Sequence, residues 1–264
     1  MGIGYTAASI QLLADSGNLN KVLINNPKIN FFHVVYRKHT NFSIDHIKNT
    51  WVNHFTNTTT ESTLKIDRSG SLISKIWLDV YFPSITSTNS PTFLSWCNNT
   101  GHAYLKSCEL NIGGYNIDKQ DSIFMDIYNE LTDVNEMENM GLNKHKGNLY
   151  MKNGSSNIAP ELQMYIPLKF YFNRNVGAAL PIIALQYHDI ELKFQFRKLA
   201  ELLVSDKKIN TNDTIADPKV NLWVETIFLD TEEQQRIVNT KHEYLIEQVQ
   251  MEEHSVSSNL FDMN

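Results

Sequence analysis

The 264-residue chain contains only two cysteines, Cys97 and Cys108. Two thiols cannot build a disulfide framework, and they cannot supply a zinc site made of four thiolates. The scarcity of cysteine therefore predicts a protein of a reducing compartment.

Long hydrophobic runs and an excess of basic residues are missing as well. No apolar stretch approaches the roughly 18 residues that a bilayer-spanning helix needs. The residues from Met1 to Ala14 lack the basic and apolar regions of a secretory signal, so none is predicted. The 23 Lys and Arg residues are outnumbered by 29 Asp and Glu residues, which gives a net charge of -6. This balance argues against a protein whose main task is to coat nucleic acid.

The composition that remains, 42% hydrophobic and 20% charged, is typical of a globular protein of one large or two small domains. Its strongest periodic signal lies at 188–197, where apolar and polar residues alternate. Similar alternation occurs at 76–82 and at 220–229, and a period of two predicts strands with one buried face. In the last segment Val220, Leu222, Val224 and Phe228 are expected on one face. Weaker strands are predicted at 29–37, 62–68, 104–112, 165–172 and 243–250.

Turn and helix signals separate these strands. Ser69-Gly70 predicts a tight hairpin, and Gly113-Gly114 predicts another turn. Helices are expected at 119–131, carrying Ile123, Ile127 and Leu131, and at 231–240, where Asp230 is a suitable N-cap. The stretches 84–100 and 133–160 read as long exposed loops. Many short strands with few helices predict an all-β protein, an antiparallel jelly-roll sandwich with long loops.

Motifs that would carry chemistry are weak. The chain has no phosphate-binding glycine loop, no nucleophile elbow and no zinc-protease helix motif. Cys97 or Cys108 with His102 as a base is a poor candidate for a catalytic thiol, because idle thiols are far commoner. The acidic run Asp133 to Glu138 is interpreted as a solvated loop rather than a calcium site. We therefore expect no catalytic, cofactor-binding or metal-binding residue, no cofactor, and no enzyme activity.

Other scattered features favour ordinary surface roles. Nine histidines are too dispersed to predict a metal centre: His33, His39, His46, His54, His102, His145, His188, His242 and His254. Two small basic clusters, Tyr36 to His39 and Lys207-Lys208, are expected to form salt bridges rather than to bind nucleic acid. Without a secretory signal, the glycosylation sequons do not imply glycans; they begin at Asn41, Asn57, Asn98, Asn153 and Asn212. Met1-Gly2 with Thr6 is only a weak myristoylation pattern.

Six blocks of sequence are more informative than any of these motifs. The first is residues 27–42, Pro-Lys-Ile-Asn-Phe-Phe-His-Val-Val-Tyr-Arg-Lys-His-Thr-Asn-Phe. The others follow in order at 112–119, 166–172, 179–188, 228–233 and 242–248, the last reading His-Glu-Tyr-Leu-Ile-Glu-Gln. Together they resemble the major capsid proteins of large nucleocytoplasmic DNA viruses, a double jelly-roll family, and the likeness extends over nearly the whole chain.

This resemblance implies a structural subunit of an icosahedral viral shell, assembled in the host cytoplasm. It implies an eight-stranded jelly roll and the N-terminal half of a longer protein: an N-terminal arm at 1–26, a first jelly roll at 27–230, and a connecting helix with the first strand of a truncated second jelly roll at 231–264. The implied partners are other copies of the chain in a homotrimeric capsomer, minor capsid proteins, and the internal viral membrane through the arm. No direct contact with nucleic acid is implied.

Two other functions stay open at this point. A carbohydrate-binding jelly roll would use aromatic platforms, for which Trp51, Trp77, Trp96 and Trp223 are available. A jelly-roll metal enzyme would need the histidines to converge. For a shell protein, the wet faces and the loops 84–100 and 133–160 are expected to contact other subunits. A strand at 243–250 without a covering sheet would be an unpaired edge, so the chain alone is expected to be poorly soluble or oligomeric.

Overall fold

The computed structural model describes residues 40–51, 56, 58–88, 91, 93–132, 140–144, 158–207 and 216–252. All of these except Thr40 belong to one compact unit, Asn41–Asn264. The arm predicted at 1–26 and the strand predicted at 29–37 lie outside the described residues.

In the part of the chain that the structure describes, eight strands form two antiparallel four-stranded sheets. In spatial order, the first sheet contains β1 (Phe42–Asn49), β12 (Lys219–Leu229), β3 (Leu72–Phe82) and β9 (Leu162–Pro167). The second sheet contains β2 (Glu61–Lys65), β10 (Ile190–Phe196), β6 (Leu105–Ile112) and β7 (Tyr115–Asp121). The chain passes repeatedly from one sheet to the other, which is the strand order of a jelly roll, so the predicted fold class is confirmed.

Alternation along the strands builds the core between the two sheets. In β10, Ile190, Leu192, Phe194 and Phe196 are buried while Lys193 is exposed, as predicted. Strand β3 begins at Leu72, before the predicted 76–82, and its register with β12 shifts between Glu225 and Thr226. This bulge lets Ile73 and Ile76, three positions apart, both point into the core.

The two glycine turns behave differently. Gly113 and Gly114 both have positive φ angles, 59° and 85°, and join β6 to β7 as a tight hairpin, which suits glycine. The hairpin predicted at Ser69-Gly70 is wrong, because β2 pairs with β10 in one sheet and β3 pairs with β12 in the other. A Cβ atom on Gly70 would lie 2.1 Å from Thr226 Cγ2, so this connection needs glycine to pass close to β12.

Residues 84–100, predicted as an exposed loop, are largely built into the structure. Short strands β4 (Ile85–Thr86) and β5 (Leu94–Trp96) pair with β8 (Ile158–Ala159) and β11 (Leu203–Ser205) respectively. Ile85, Leu94 and Trp96 are buried. Strands of two or three residues are too short to show a period in the sequence, which is why the prediction failed. Of the other predicted loop, only 140–144 and 158–160 are described.

Helices are few and short, as expected. Those with bounds in the described part of the chain are α1 (Thr100–Tyr104), α2 (Ser122–Leu131), α3 (Tyr171–Arg174) and α4 (Thr231–Asn239), with 3₁₀ turns at 176–178, 182–184 and 199–202. Helix α4 confirms the predicted helix at 231–240, and the Asp230 carboxylate accepts a hydrogen bond from the Thr231 N–H. The strand predicted at 165–172 is wrong beyond Pro167, where β9 ends before α3 begins. None of the helices in the described part of the chain is long and apolar enough to cross a membrane.

The strand predicted at 243–250 is absent, because described residues 240–252 contain no strand. This segment is held by hydrogen bonds between side chains and backbone instead of by backbone pairing with a strand. Gln248 Nε2 donates to the Ile117 carbonyl at 2.6 Å, and the Val249 N–H donates to Asp118 Oδ1 at 2.9 Å. With no neighbouring strand to pair with in the described structure, Leu245 is 90% exposed.

Candidate assembly surface

Helix α2 carries three apolar side chains that face solvent. Ile123 is 61% exposed, Ile127 53% and Leu131 79%. A spacing of four residues places them one above another on the same face of the helix, and we call this face the α2 stripe. The sequence predicted a helix with these residues, but the helix buries its other side, including Met125. A contiguous apolar surface of this kind is typical of a protein contact.

A charged cluster lies beside the α2 stripe. Lys144 is only 12% exposed, and its ammonium lies 2.7 Å from Asp126 Oδ1 and 2.6 Å from Glu130 Oε1. Asn99 Nδ2 also donates to Asp126 Oδ1, at 2.7 Å. These contacts tie α2 to residues 140–144 and to the turn before α1, so the stripe is presented by a braced helix.

The charges of this cluster shift the titration of its members. His102 and Lys144 together lower the pKa of Asp126 from 3.8 to about 2. Because His102 Nδ1 is 3.9 Å from Asp126 Oδ1, the direct bond is the one from Lys144. Burial opposes the charge of Lys144, but the two carboxylates outweigh it and raise the pKa of Lys144. The ion pairs are therefore intact at neutral pH.

We expect Asp126→Asn to lower the free energy of unfolding at pH 6, but to have little effect at strongly acid pH. Since the pKa of Asp126 is lower in the folded chain than in the unfolded chain, its stabilisation is complete above about pH 4 and is lost as pH falls toward 2. The Asp126 side chain is 48% exposed, so solvent screening limits the effect at pH 6 to about 1 kcal/mol or less. Urea unfolding followed by tryptophan fluorescence at pH 6 and pH 2.5 measures it.

The exposed carboxylate variant Asp45→Asn serves as the control for this experiment. Asp45 lies on β1 and is exposed. If Asp126→Asn and Asp45→Asn lose the same stability at pH 6, the cluster does not brace α2.

The histidines do not converge in the part of the chain that the structure describes. His46 is exposed and contacts the edge of Trp77, His188 lies against Gly113, and His242 is exposed. His102 is buried, with Nδ1 3.2 Å from Asn99 Nδ2. His33, His39, His54, His145 and His254 lie outside the described residues. Among the described residues, no three His, Cys, Asp or Glu side chains are grouped as metal ligands would be.

The two cysteines are free thiols in or near the core. Cys108 is buried and Cys97 is half-buried. Burial is the main cause that raises the pKa of both thiols, which disfavours the reactive thiolate. His102, proposed as a base, approaches Asn99 and Asp126 through Nδ1.

The four tryptophans occupy different environments. Trp96 is 3% exposed and its indole N–H donates to the Pro160 carbonyl at 2.6 Å. Trp51 packs edge-on against Phe194. Trp77 and Trp223 lie directly opposite each other in β3 and β12, and both are half-buried. They therefore form no single platform, although Trp77 and Trp223 share the outer face of the first sheet.

Few of the remaining residues that the sequence singled out are described. Asn41 and Lys207 are exposed, and Asn98 is half-buried. Gly2, Tyr36 to His39, Asn57, Asp133 to Glu138, Asn153, Lys208 and Asn212 lie outside the described residues. The sequence did not single out the first sheet's exposed apolar edge, where Phe42 is 65% exposed and Ile44 51%. The alternation of these apolar residues with polar ones in β1 is the sequence signal that could have identified this edge.

Comparison with known proteins assigns the fold to a family. A family model described as the major capsid protein N-terminus matches residues 30–230. The chain belongs to the major capsid protein family. Capsid protein 1 of Acanthamoeba polyphaga mimivirus is 35% identical over 268 residues, covering 95% of this chain and 45% of that protein. The major capsid protein of Pyramimonas orientalis virus is 38% identical over 250 residues, covering 92% of this chain and 58% of that protein.

A solved structure agrees with these sequence matches. A quasi-atomic structure of the PBCV-1 virus capsid matches with a TM-score of 0.65 and 31% identity, covering 84% of this chain and 50% of that chain. The resemblance to the major capsid protein family is therefore confirmed. The chain spans about half the length of the curated relatives that it matches.

Proposed function

We propose that this chain is a structural subunit of an icosahedral viral shell, and that it works by associating with other capsid protein subunits. The observation that carries the proposal is an eight-stranded jelly roll of the major capsid protein family that exposes the apolar α2 stripe. Stable contacts between subunits have apolar centres and polar rims. The stripe, with the Asp126–Lys144–Glu130 cluster beside it, has that composition.

The proposed organisation follows the family. In this proposal residues 27–230 form the first jelly roll, and residues 231–264 contain the connecting helix and the beginning of a truncated second one. The resemblance further suggests a homotrimeric capsomer, contacts with minor capsid proteins, and an arm at 1–26 near the internal viral membrane. The protein would lie in the virion after assembly in the host cytoplasm.

We favour a structural role over the carbohydrate-binding module and the metal enzyme. The histidines of the described residues do not converge on one point, and Trp96 is buried in the core. A glycan array and a titration with Zn²⁺, each followed by a thermal melt, address the two alternatives directly. Specific binding in either assay, together with a monomeric chain, would replace the shell proposal.

The experiment that tests the proposal is the oligomeric state of the purified chain. We expect multi-angle light scattering to give a mass above the 30.4 kDa of one chain at micromolar concentration. Negative-stain images are expected to show trimeric particles. A monodisperse monomer across the accessible concentration range would contradict the proposal for this chain.

A further inference from the structure

A cavity of about 340 Å³ lies beside the first half of α2. Two residues of the α2 stripe, Ile123 and Ile127, belong to its lining. Asn99 from the turn before α1, His102 from α1 and Arg197 from the end of β10 line it as well. Because the stripe and the cavity share two residues, a polypeptide that covers the stripe also covers the cavity.

Arg197 is the only Lys or Arg among the described residues that line this cavity. It is half-buried, and its guanidinium donates to the Ala103 carbonyl and, at 3.1 Å, to Ser122 Oγ. In the part of the chain that the structure describes, no carboxylate forms an ion pair with it. The two bonds orient the guanidinium, and its remaining N–H groups are free to bind a ligand. Covering this cation without supplying an anion would be costly.

The surroundings of Arg197 favour an anion with a single charge. Helix α2 begins at Ser122 with no acidic residue in its first turn and no capping hydrogen bond from the Asp121 side chain. The partial positive charge of this helix end therefore adds to that of Arg197. Asp126 also lines the cavity, but Lys144 is 2.7 Å from its carboxylate and balances its charge. One cation suits a carboxylate better than a doubly charged phosphate.

Two polar atoms of the lining residues have no hydrogen-bond partner. Asn99 Nδ2 donates to Asp126 Oδ1 at 2.7 Å and lies 3.2 Å from His102 Nδ1. Because an amide nitrogen only donates, Nδ1 is the acceptor and the ring proton is on Nε2. His102 is 1% exposed, and neither its Nε2 nor Asn99 Oδ1 has a partner among the described residues. The pair consists of one donor and one acceptor, so it matches a ligand that offers both a carboxylate and an N–H group.

We propose that this cavity binds an Asp or Glu residue of a second copy of the chain. The carboxylate accepts hydrogen bonds from Arg197 and His102 Nε2, and the backbone N–H of the same residue donates to Asn99 Oδ1. A second copy fits because it is acidic, with a net charge of -6, and because copies are expected to meet at the adjoining stripe. The inference rests on the proposed shell function and adds an ion pair that fixes how two copies are aligned.

The first test measures the ligand chemistry without assembly. The glutamate probe is N-acetylglutamate N-methylamide, and N-acetylglutamine N-methylamide differs from it only in lacking the carboxylate. We expect the glutamate probe, at millimolar concentration, to shift the NMR signals of the Arg197 Nε–H and the His102 ring. The glutamine compound should bind at least about tenfold more weakly. Acetate, which has no N–H, and inorganic phosphate should also bind more weakly than the glutamate probe.

The second test measures association of the chain by sedimentation velocity. Arg197→Gln is expected to weaken association at least about tenfold, and Arg197→Lys, which keeps the charge, should recover part of the loss. Lys193→Gln is the matched control, because it removes one positive charge from an exposed position of β10 and should have no effect. Thermal melts verify that the variants are folded. If Arg197→Gln does not fold, Arg197→Lys and the glutamate probe, which should compete with association, decide the question.

Three outcomes would overturn the proposal. They are equal binding of the glutamate and glutamine compounds, binding of acetate or phosphate as tight as that of the glutamate probe, and equal association of Arg197→Gln and Lys193→Gln. The second outcome would make the cavity a general anion site. The NMR titration needs no assembly, so its failure is distinguishable from a monomeric light-scattering result, which would overturn the shell proposal and the second copy as the source of the carboxylate.

Discussion

Replacing Phe82 by alanine is expected to lower the free energy of unfolding by about 4 kcal/mol, because it removes the centre of an aromatic cluster. Phe82 ends β3 and is fully buried. Its ring lies 4.9 Å from those of both Trp96 and Tyr104, and Tyr104 stacks on Phe196 at 4.9 Å. The cavity left by alanine would be bounded by the rings of Trp96 and Tyr104. The Trp96 indole is held by its hydrogen bond to Pro160 and Tyr104 by its stacking on Phe196, so neither ring can readily fill the space, and the cost is large.

Urea unfolding at neutral pH measures this effect, with Phe42→Ala as the matched control. Phe42 undergoes the same chemical change but is 65% exposed on β1, so its variant is expected to lose less than about 1 kcal/mol. A loss below about 1.5 kcal/mol for Phe82→Ala would mean that the cluster collapses around the cavity and does not anchor the sandwich.

The residues of this cluster show which parts of the fold could be predicted from the sequence and which could not. Long strands with one buried face carry a period of two, and β3, β6, β10 and β12 were found for that reason. Trp96 comes from β5, a three-residue strand in a segment read as an exposed loop. The contact between Trp96 and Phe82 could not be predicted from the neighbouring residues, because it depends on the path of the whole chain.

The connection at Ser69-Gly70 shows a second limit. Glycine in a short turn between two strands fits a hairpin and an inter-sheet crossover equally well. The choice is decided by Thr226, whose methyl group lies against Gly70 from a strand about 150 residues later in the chain. No local pattern contains that information. The strand predicted at 243–250 failed similarly, because a strand exists only if another strand pairs with it.

The sequence predicted the helix that carries the assembly surface, but it did not predict that the apolar face of this helix is exposed. The sequence places Ile123, Ile127 and Leu131 on one helical face, and such a face is ordinarily buried. Here the core side of α2 is formed by Met125 together with Ser122 and Asn129, two polar residues that no hydrophobicity pattern would choose.

Substituting lysine at both Ile123 and Ile127 is therefore expected to weaken self-association by at least about 100-fold, because each change removes an apolar contact and would bury a charge. Neither side chain packs in the core, and lysine is a good helix former, so the thermal stability of the monomer should stay nearly unchanged. Sedimentation velocity over a concentration series measures the dissociation constant.

The double variant V176K/Y187K provides the comparison that separates a specific contact from the effect of added charge. Val176 is 60% exposed and Tyr187 93% exposed, both lie away from α2 in the sequence, and the variant adds the same two positive charges. If I123K/I127K and V176K/Y187K shift the dissociation constant equally, added charge alone would account for the result and the α2 stripe would have no special part. If only the α2 variant dissociates while its helix content by circular dichroism is retained, the solvent-facing isoleucines are the contact. The same apolar residues that look misplaced on a monomer would then be correctly placed for an assembled subunit.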